Sequence, residues 1–457
     1  MKFTTTAFTI SLLFTISTFT VAAETAKKEA YRDAVGKAPA LWSGPTFNLS
    51  DAYPKQKPNA CSQNDCPWLG IDLPMKTDFT EAGIPSWGGN ELYNDYITAI
   101  LNYIKRGQTP EFSNDTGFNV IVDGETEWFH VPWMAFDRKT GREFVHGLTN
   151  ERTAVLSDFF SENRDGLHAL PNSNSGDEAG FETWAVGMYN STGGYTIGKG
   201  WDDKGNPIIE TVNGITSTKG MPFVEGTVVV KFLFTTATPK EVPYLKGSPV
   251  WQANSHIEKN DKFLCVRKVQ EVRLVQVDVA VVDERSPSRW VYGTFAYISS
   301  SKGKTLWDKL QPVGLQWGMD EWTFPAVPKS ESITARQSVL NTSISAFEHF
   351  GCNGRLAGPV DNKLSSCLSC HGGAFANEAG FTFDRGAYSP SIFGFDGLCE
   401  QYGQENVNYF QTIQFPQNYS GGNYANLMNL DTSLQMQIAL QQWALFSQNG
   451  EAEACKL

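Results

Sequence analysis

Apolar and polar residues alternate with a period of two along several long stretches of this chain, which predicts strands. Val224 to Thr235, Val266 to Val282 and Arg289 to Ile298 are the longest. In the second, Val275, Val277, Val279 and Val281 share one face, and Leu274, Gln276, Asp278 and Ala280 the other, so one face belongs to a core. Asp278 reads there as a solvent-facing or arginine-bound carboxylate. Gly117 to Trp133 predicts a hairpin turning at Asp123-Gly124, because that dipeptide tolerates the positive φ angles of a two-residue turn. One helical period interrupts this region: Leu92, Tyr96, Ala99, Ile100, Tyr103 and Ile104 follow Asn90 as N-cap and stop at Gly107.

After the Pro- and Ser-containing stretch Pro325 to Ser332, the pattern becomes helical. Helices are expected over Ile333 to Phe350 and about Asp431 to Phe446, with a short one starting near Asp361 and ending at Cys367 and Cys370. The fold class expected is therefore multidomain α+β: a β-rich N-terminal domain, sandwich or open barrel, followed by an all-α domain. The corresponding division is 1–23 leader, 24–328 β-rich domain and 329–457 helical domain. No fixed-period repeat is visible, which removes propellers and solenoids.

Residues 1–23 carry Lys2, then an uncharged apolar and hydroxyl-rich run, then Ala22 and Ala23, the pattern of a cleavable signal peptide. Export to a periplasm or to the outside is expected, with no membrane span in the mature chain. The eight cysteines suit an oxidising compartment. Cys61 with Cys66 and Cys352 with Cys399 are candidate disulfides, although spacing leaves connectivity open. A net charge of −12 disfavours nucleic acid and anionic surfaces as partners.

The chemistry concentrates in Cys367-Leu368-Ser369-Cys370-His371. Two thiols at this spacing, each able to add to a vinyl group of one porphyrin, and an adjoining imidazole for the iron, form the attachment signature of covalent haem. A zinc half-site would need further ligands, of which Cys352 and Cys399 are the candidates; a thioredoxin-type disulfide expects a βαβ context. Residues 329–457 resemble a small class I cytochrome c domain, at the motif above all. The resemblance implies one covalent haem c, His371 as proximal iron ligand and Met428, ahead of the last helix, as the second axial ligand. Met436 and His349 are the competitors. The stretch from Cys352 to Lys363 departs from the family, where the first helix runs almost directly into the motif. Arg355, Lys363 and Arg385 are candidate partners for haem propionates.

Electron transfer to a redox partner protein is the expected function. The alternative is a periplasmic haem c oxidoreductase whose β-rich part binds a small-molecule substrate. A third reading, in which exposed tryptophans hold a flat ligand, rests on aromatic content alone, and those residues are more often core. A second haem motif, clustered copper-type histidines and propeller repeats are all missing from the sequence, which disfavours the corresponding enzymes.

Overall fold

The Val-rich alternation builds one large antiparallel sheet. In the computed structural model, the residues described are 41–44, 51–59, 61–75, 91–110, 117–134, 136–137, 141–142, 148–160, 180–259, 262–321, 336–344, 351–362, 365–377, 409–416 and 427–449. The sheet comprises β1 (Trp128–Phe129), β2 (Thr149–Val155), β3 (Gly180–Asn190), β4 (Val228–Thr235), β5 (Val250–Lys259), β6 (Lys262–Val282), β7 (Trp290–Tyr297), β8 (Leu310–Gln316) and β9 (Ser338–Leu340). Its order is β9-β8-β7-β6-β4-β3-β1, with β5 beside the first half of β6 and β2 beside β3.

Both faces of this sheet are covered. On one, Val228, Val230 and Phe232 of β4, Val277, Val279 and Val281 of β6, and Val291 and Phe295 of β7 pack with Trp68 and with helix α1 (Glu91–Ile104). That helix buries Tyr96, Ile97, Ile100 and Ile104, each side chain contributing roughly 1.5–3 kcal/mol by leaving water. The disulfide Cys61–Cys66 fastens the short turn that carries Trp68 into this layer.

The opposite face shows Tyr189 of β3, Ala280 and Val282 of β6, and Trp290 and Tyr292 of β7. Over it lie C-terminal residues, among them Leu368, Phe375, Met428, Met436 and Leu440. The helices α2 (Ser191–Lys199), α3 (Leu306–Lys309), α4 (Cys367–Gly372) and α5 (Leu434–Asn449) and the ribbon β10 (Phe375–Asn377) with β11 (Leu427–Asn429) complete the secondary structure that concerns the site. With two covered faces, every residue of β7 is buried, so its apolar run has no polar side.

Several expectations hold. Ile121–Val122 pairs with Glu125–Thr126 around Asp123 and Gly124, both at positive φ. Helix α1 spans the predicted stretch, with Gly107 at φ +71 beyond it. The fold class is corrected, however. Among the described residues strand outweighs helix, one nine-stranded antiparallel sheet dominates beside four two-stranded ones, and no all-α domain is evident over 329–457. Ser338–Leu340, inside the helix expected over 333–350, is instead strand β9, because Val339 and Leu340 complete the sheet edge beside β8. Phe375–Asn377 and Leu427–Asn429 are likewise strands. The helix at the cysteines starts at Cys367 itself, not near Asp361. The leader 1–23, the boundary stretch Pro325 to Ser332 and Cys399 lie outside the described residues, whereas Cys352 is disulfide-bonded.

The junction of β9 with the sheet needs a glycine. A Cβ on Gly314 would stand 2.6 Å from the Val339 carbonyl oxygen and 2.8 Å from Leu356 Cδ1. Gly314→Ala is expected to cost about 1–3 kcal/mol by overpacking. Urea denaturation measures this, and an unchanged midpoint would show that β9 shifts freely.

Candidate haem attachment site

Helix α4 is too short to stand alone, and its surroundings hold it. Ser366 caps it, accepting from the Ser369 N–H at 3.1 Å, and the Gly373 N–H closes the other end on the carbonyls of Cys370 and His371. Leu368 and Ser369 are buried: the Leu368 N–H donates to Gln316 Oε1 of β8 at 3.1 Å, and the Ser369 hydroxyl to Met319 Sδ at 3.6 Å. Residues three and four apart share a helix face. Cys367, Cys370 and His371 therefore line one side of α4 while Leu368 and Ser369 anchor the other.

His371 Nδ1 lies 3.0 Å from the carbonyl oxygen of Thr432. A carbonyl only accepts, so Nδ1 carries the hydrogen and the lone pair of the neutral ring resides on Nε2, the nitrogen left to bind a metal. Burial holds the imidazole well below its ordinary value, at about 4, which keeps the ring neutral at physiological pH. Tyr292 flanks it, ring centroids 4.9 Å apart.

Thr432 is positioned from the sheet. Asp431 and Thr432 both have positive φ, 49° and 64°, a conformation that is strained for a β-branched residue. Arg289 Nη1 donates to both Asp431 oxygens at 3.0 and 2.9 Å, Trp290 Nε1 to Oδ1 at 3.1 Å and the Phe223 N–H to Oδ2 at 2.8 Å. Burial pushes the Asp431 carboxyl upward and Arg289 pulls it back; with these donors on its oxygens, the carboxylate is the form the site solvates. The Tyr292 hydroxyl donates to Thr432 Oγ1 at 2.8 Å, and Tyr189 and Ser433 share a hydrogen bond of 2.7 Å.

On the sheet side, Cys367 Sγ is 3.9 Å from Thr294 Oγ1, whose hydroxyl donates to Asp278 Oδ1 at 2.8 Å. Lys231 of β4, Asp278 of β6 and Thr294 of β7 stand directly opposite one another across three strands. Gln276 Nε2 donates to Asp278 Oδ1 at 2.8 Å and to Asp361 Oδ2 at 2.9 Å. Burial, then Asp361 and Asp278, push the Cys367 thiol well above its ordinary range. A dithiol-exchange site needs a thiolate. The first cysteine is held as a thiol here, the opposite of that requirement.

These residues fit a covalently bound haem: Cys367 and Cys370 are not in a disulfide, and the imidazole on the same face is neutral with Nε2 unengaged by Thr432. Cys352 is committed to a disulfide and so leaves the zinc shell proposed for it. Among the described residues no group of three His, Cys, Asp or Glu side chains is arranged to hold a metal ion. No helix among them is long and apolar enough to cross a membrane.

Met428 is buried on β11, opposite Ala376. Met436 is turned toward α2, its Cε 3.3 Å from where a Cβ on Gly200 would be. Met319, which sequence reasoning missed, brings a thioether to the anchored side of α4. Arg355 is fully buried and its guanidinium donates to the carbonyls of Met319, Cys352 and Asp320, so it serves the loop and not a propionate. His349, Lys363 and Arg385 lie outside the described residues. Lys231 and Thr294 also escaped notice, and Asp278 was read as solvent-facing or arginine-bound, although the lone charges in Val-Val-Val-Lys231 and Val277-Asp278-Val279 mark polar breaks in buried strands.

Comparison with protein-family models, with curated proteins and with solved structures finds no match to this chain.

Proposed function

We propose that this protein is an exported monohaem c-type cytochrome, periplasmic or secreted, that passes single electrons to and from a redox partner protein. The observation that carries the reading is the shared face of α4, where two cysteines outside any disulfide accompany an imidazole whose Nδ1 is tied to Thr432. Cys367 and Cys370 would hold the porphyrin by thioethers, and His371 Nε2 and the Met428 thioether would bind the iron. When bound, the haem supplies a one-electron ferric/ferrous couple. The chain's part is to orient: the Thr432 carbonyl fixes the ring plane of His371 and raises its basicity, and buried Leu368 keeps α4 from turning.

The test is expression with a maturation system for c-type cytochromes, followed by absorption spectroscopy and mass spectrometry. The expected result is a Soret band and a mass increase of one haem; unmodified thiols in such cells would sink the reading. Met428→Ala is expected to open the sixth position, so that the reduced protein binds carbon monoxide, while Met319→Ala is not. The reverse pattern would transfer the ligand role to Met319.

A further inference from the structure

Two carboxylates share one amide donor beside the sulfur of Cys367. Gln276 Nε2 serves Asp278 Oδ1 and Asp361 Oδ2 together, while the Gln276 carbonyl accepts from the Val360 N–H at 3.2 Å. Gly358 makes this approach possible, since a Cβ there would stand 2.2 Å from Gln276 Nε2. The carboxylates are thus held close by the backbone of two separate elements. Lys231, directly opposite Asp278, has its ammonium 3.2 Å from Glu151 of β2. Among the described residues, Glu151, Asp278 and Asp361 outnumber the Lys231 ammonium in this cluster. The other titratable groups near it among those residues are Cys367, Cys370 and His371 on α4.

We propose that Asp278, held beside Asp361 by Gln276, is a proton site coupled to the redox state of the chain, so that electron uptake and proton uptake occur together. The inference rests on the haem reading above. A one-electron reductant, protein or electrode, delivers an electron to the haem held by Cys367 and Cys370. One proton from water then bonds to a carboxylate oxygen of Asp278, and both leave on oxidation. The physical cause is Coulombic: like charges in a poorly solvated cluster resist joint ionisation, and an added negative charge nearby makes the protonated pair more favourable still. Thr294 connects the two sites, donating to Asp278 and touching Cys367. Asp278, Asp361 and Lys231 are only half-buried, so water can deliver the proton. In support, burial and the charge of Asp361 push the Asp278 carboxyl well above the usual carboxylate range.

The experiment is spectroelectrochemical titration of the haem-loaded full chain from acid to alkaline pH, with proton uptake on electrochemical reduction read by a pH electrode in weakly buffered solution. Over part of that range the midpoint potential is expected to fall by about 59 mV per pH unit, the value for one proton with one electron. Proton uptake is expected to approach one per haem in the same window. Asp278→Asn and Asp361→Asn are each expected to flatten the slope and abolish the uptake. A pH-independent potential in the parent chain overturns the proposal while leaving the haem reading standing, and so does a slope that persists in both variants. A chain that acquires no haem overturns both.

Discussion

A chain carrying Cys367→Ser together with Cys370→Ser is expected to fold with only a modest loss of stability and to emerge from haem-attaching cells with no Soret band. The loss is complete because thioethers form only at sulfur, and the hydroxyl of serine does not replace it. The cost in stability is modest because Cys370 is exposed, and serine nearly matches the size of Cys367, which packs against both core layers with its Sγ 3.9 Å from the Thr294 hydroxyl. Exchanging that partly buried sulfur for a hydroxyl is expected to cost about 1 kcal/mol. Urea denaturation of the two apo chains, alongside absorption spectra and intact mass, separates folding from attachment. A double variant that still carried covalent haem would place the attachment elsewhere.

Asp431→Asn is expected to have the largest effect on stability, a loss of about 3–5 kcal/mol, because it strands the Arg289 charge inside the protein. Arg289 retains Glu284 at 2.8 Å, but that partner is half exposed and weakly worth having. The same change replaces one of the two oxygens that accept from Arg289, Trp290 and the Phe223 N–H by an amide donor, which weakens the bonds that hold two consecutive residues in a left-handed conformation. Thr432 should then turn its carbonyl away from His371 Nδ1. In the haem-loaded protein the ligand becomes less basic, and the midpoint potential should rise. Denaturation and potentiometry read the two consequences separately. A stability loss below about 1 kcal/mol would show that the buried pair does not hold the turn. An unchanged potential would show that Thr432 does not orient the ring.

Much of the sheet was legible because local pattern and burial agree there. The alternation of Val275 to Val281, the Asp123-Gly124 turn and the apolar stripe of α1 each need only their own few residues. Reading stopped where a distant partner decides the state. Val339 and Leu340 sit among good helix formers, yet β8 offers them a sheet edge and they pair with it. Asp278 looked solvent-facing because period two gives it the face opposite the valines. That face is covered by residues some eighty positions further on, Asp361 and Cys367 among them.

Within the site, composition alone marked Cys367, Cys370 and His371, since their spacing along one helix face is itself the chemistry. Nothing local identified Thr432 as the acceptor for His371, or Arg289 and Tyr292 as the residues that hold it. Those contacts join segments separated by 61 and by 140 or more positions. The amino-acid sequence by itself determined which atoms could bind a porphyrin and iron, because covalent spacing is a property of the chain. Only the tertiary structure decided which imidazole nitrogen carries the hydrogen, that the first thiol stays protonated, and that a carboxylate pair lies beside it. Each of these depends on electrostatics and hydrogen bonds between groups that only the folded sheet brings together.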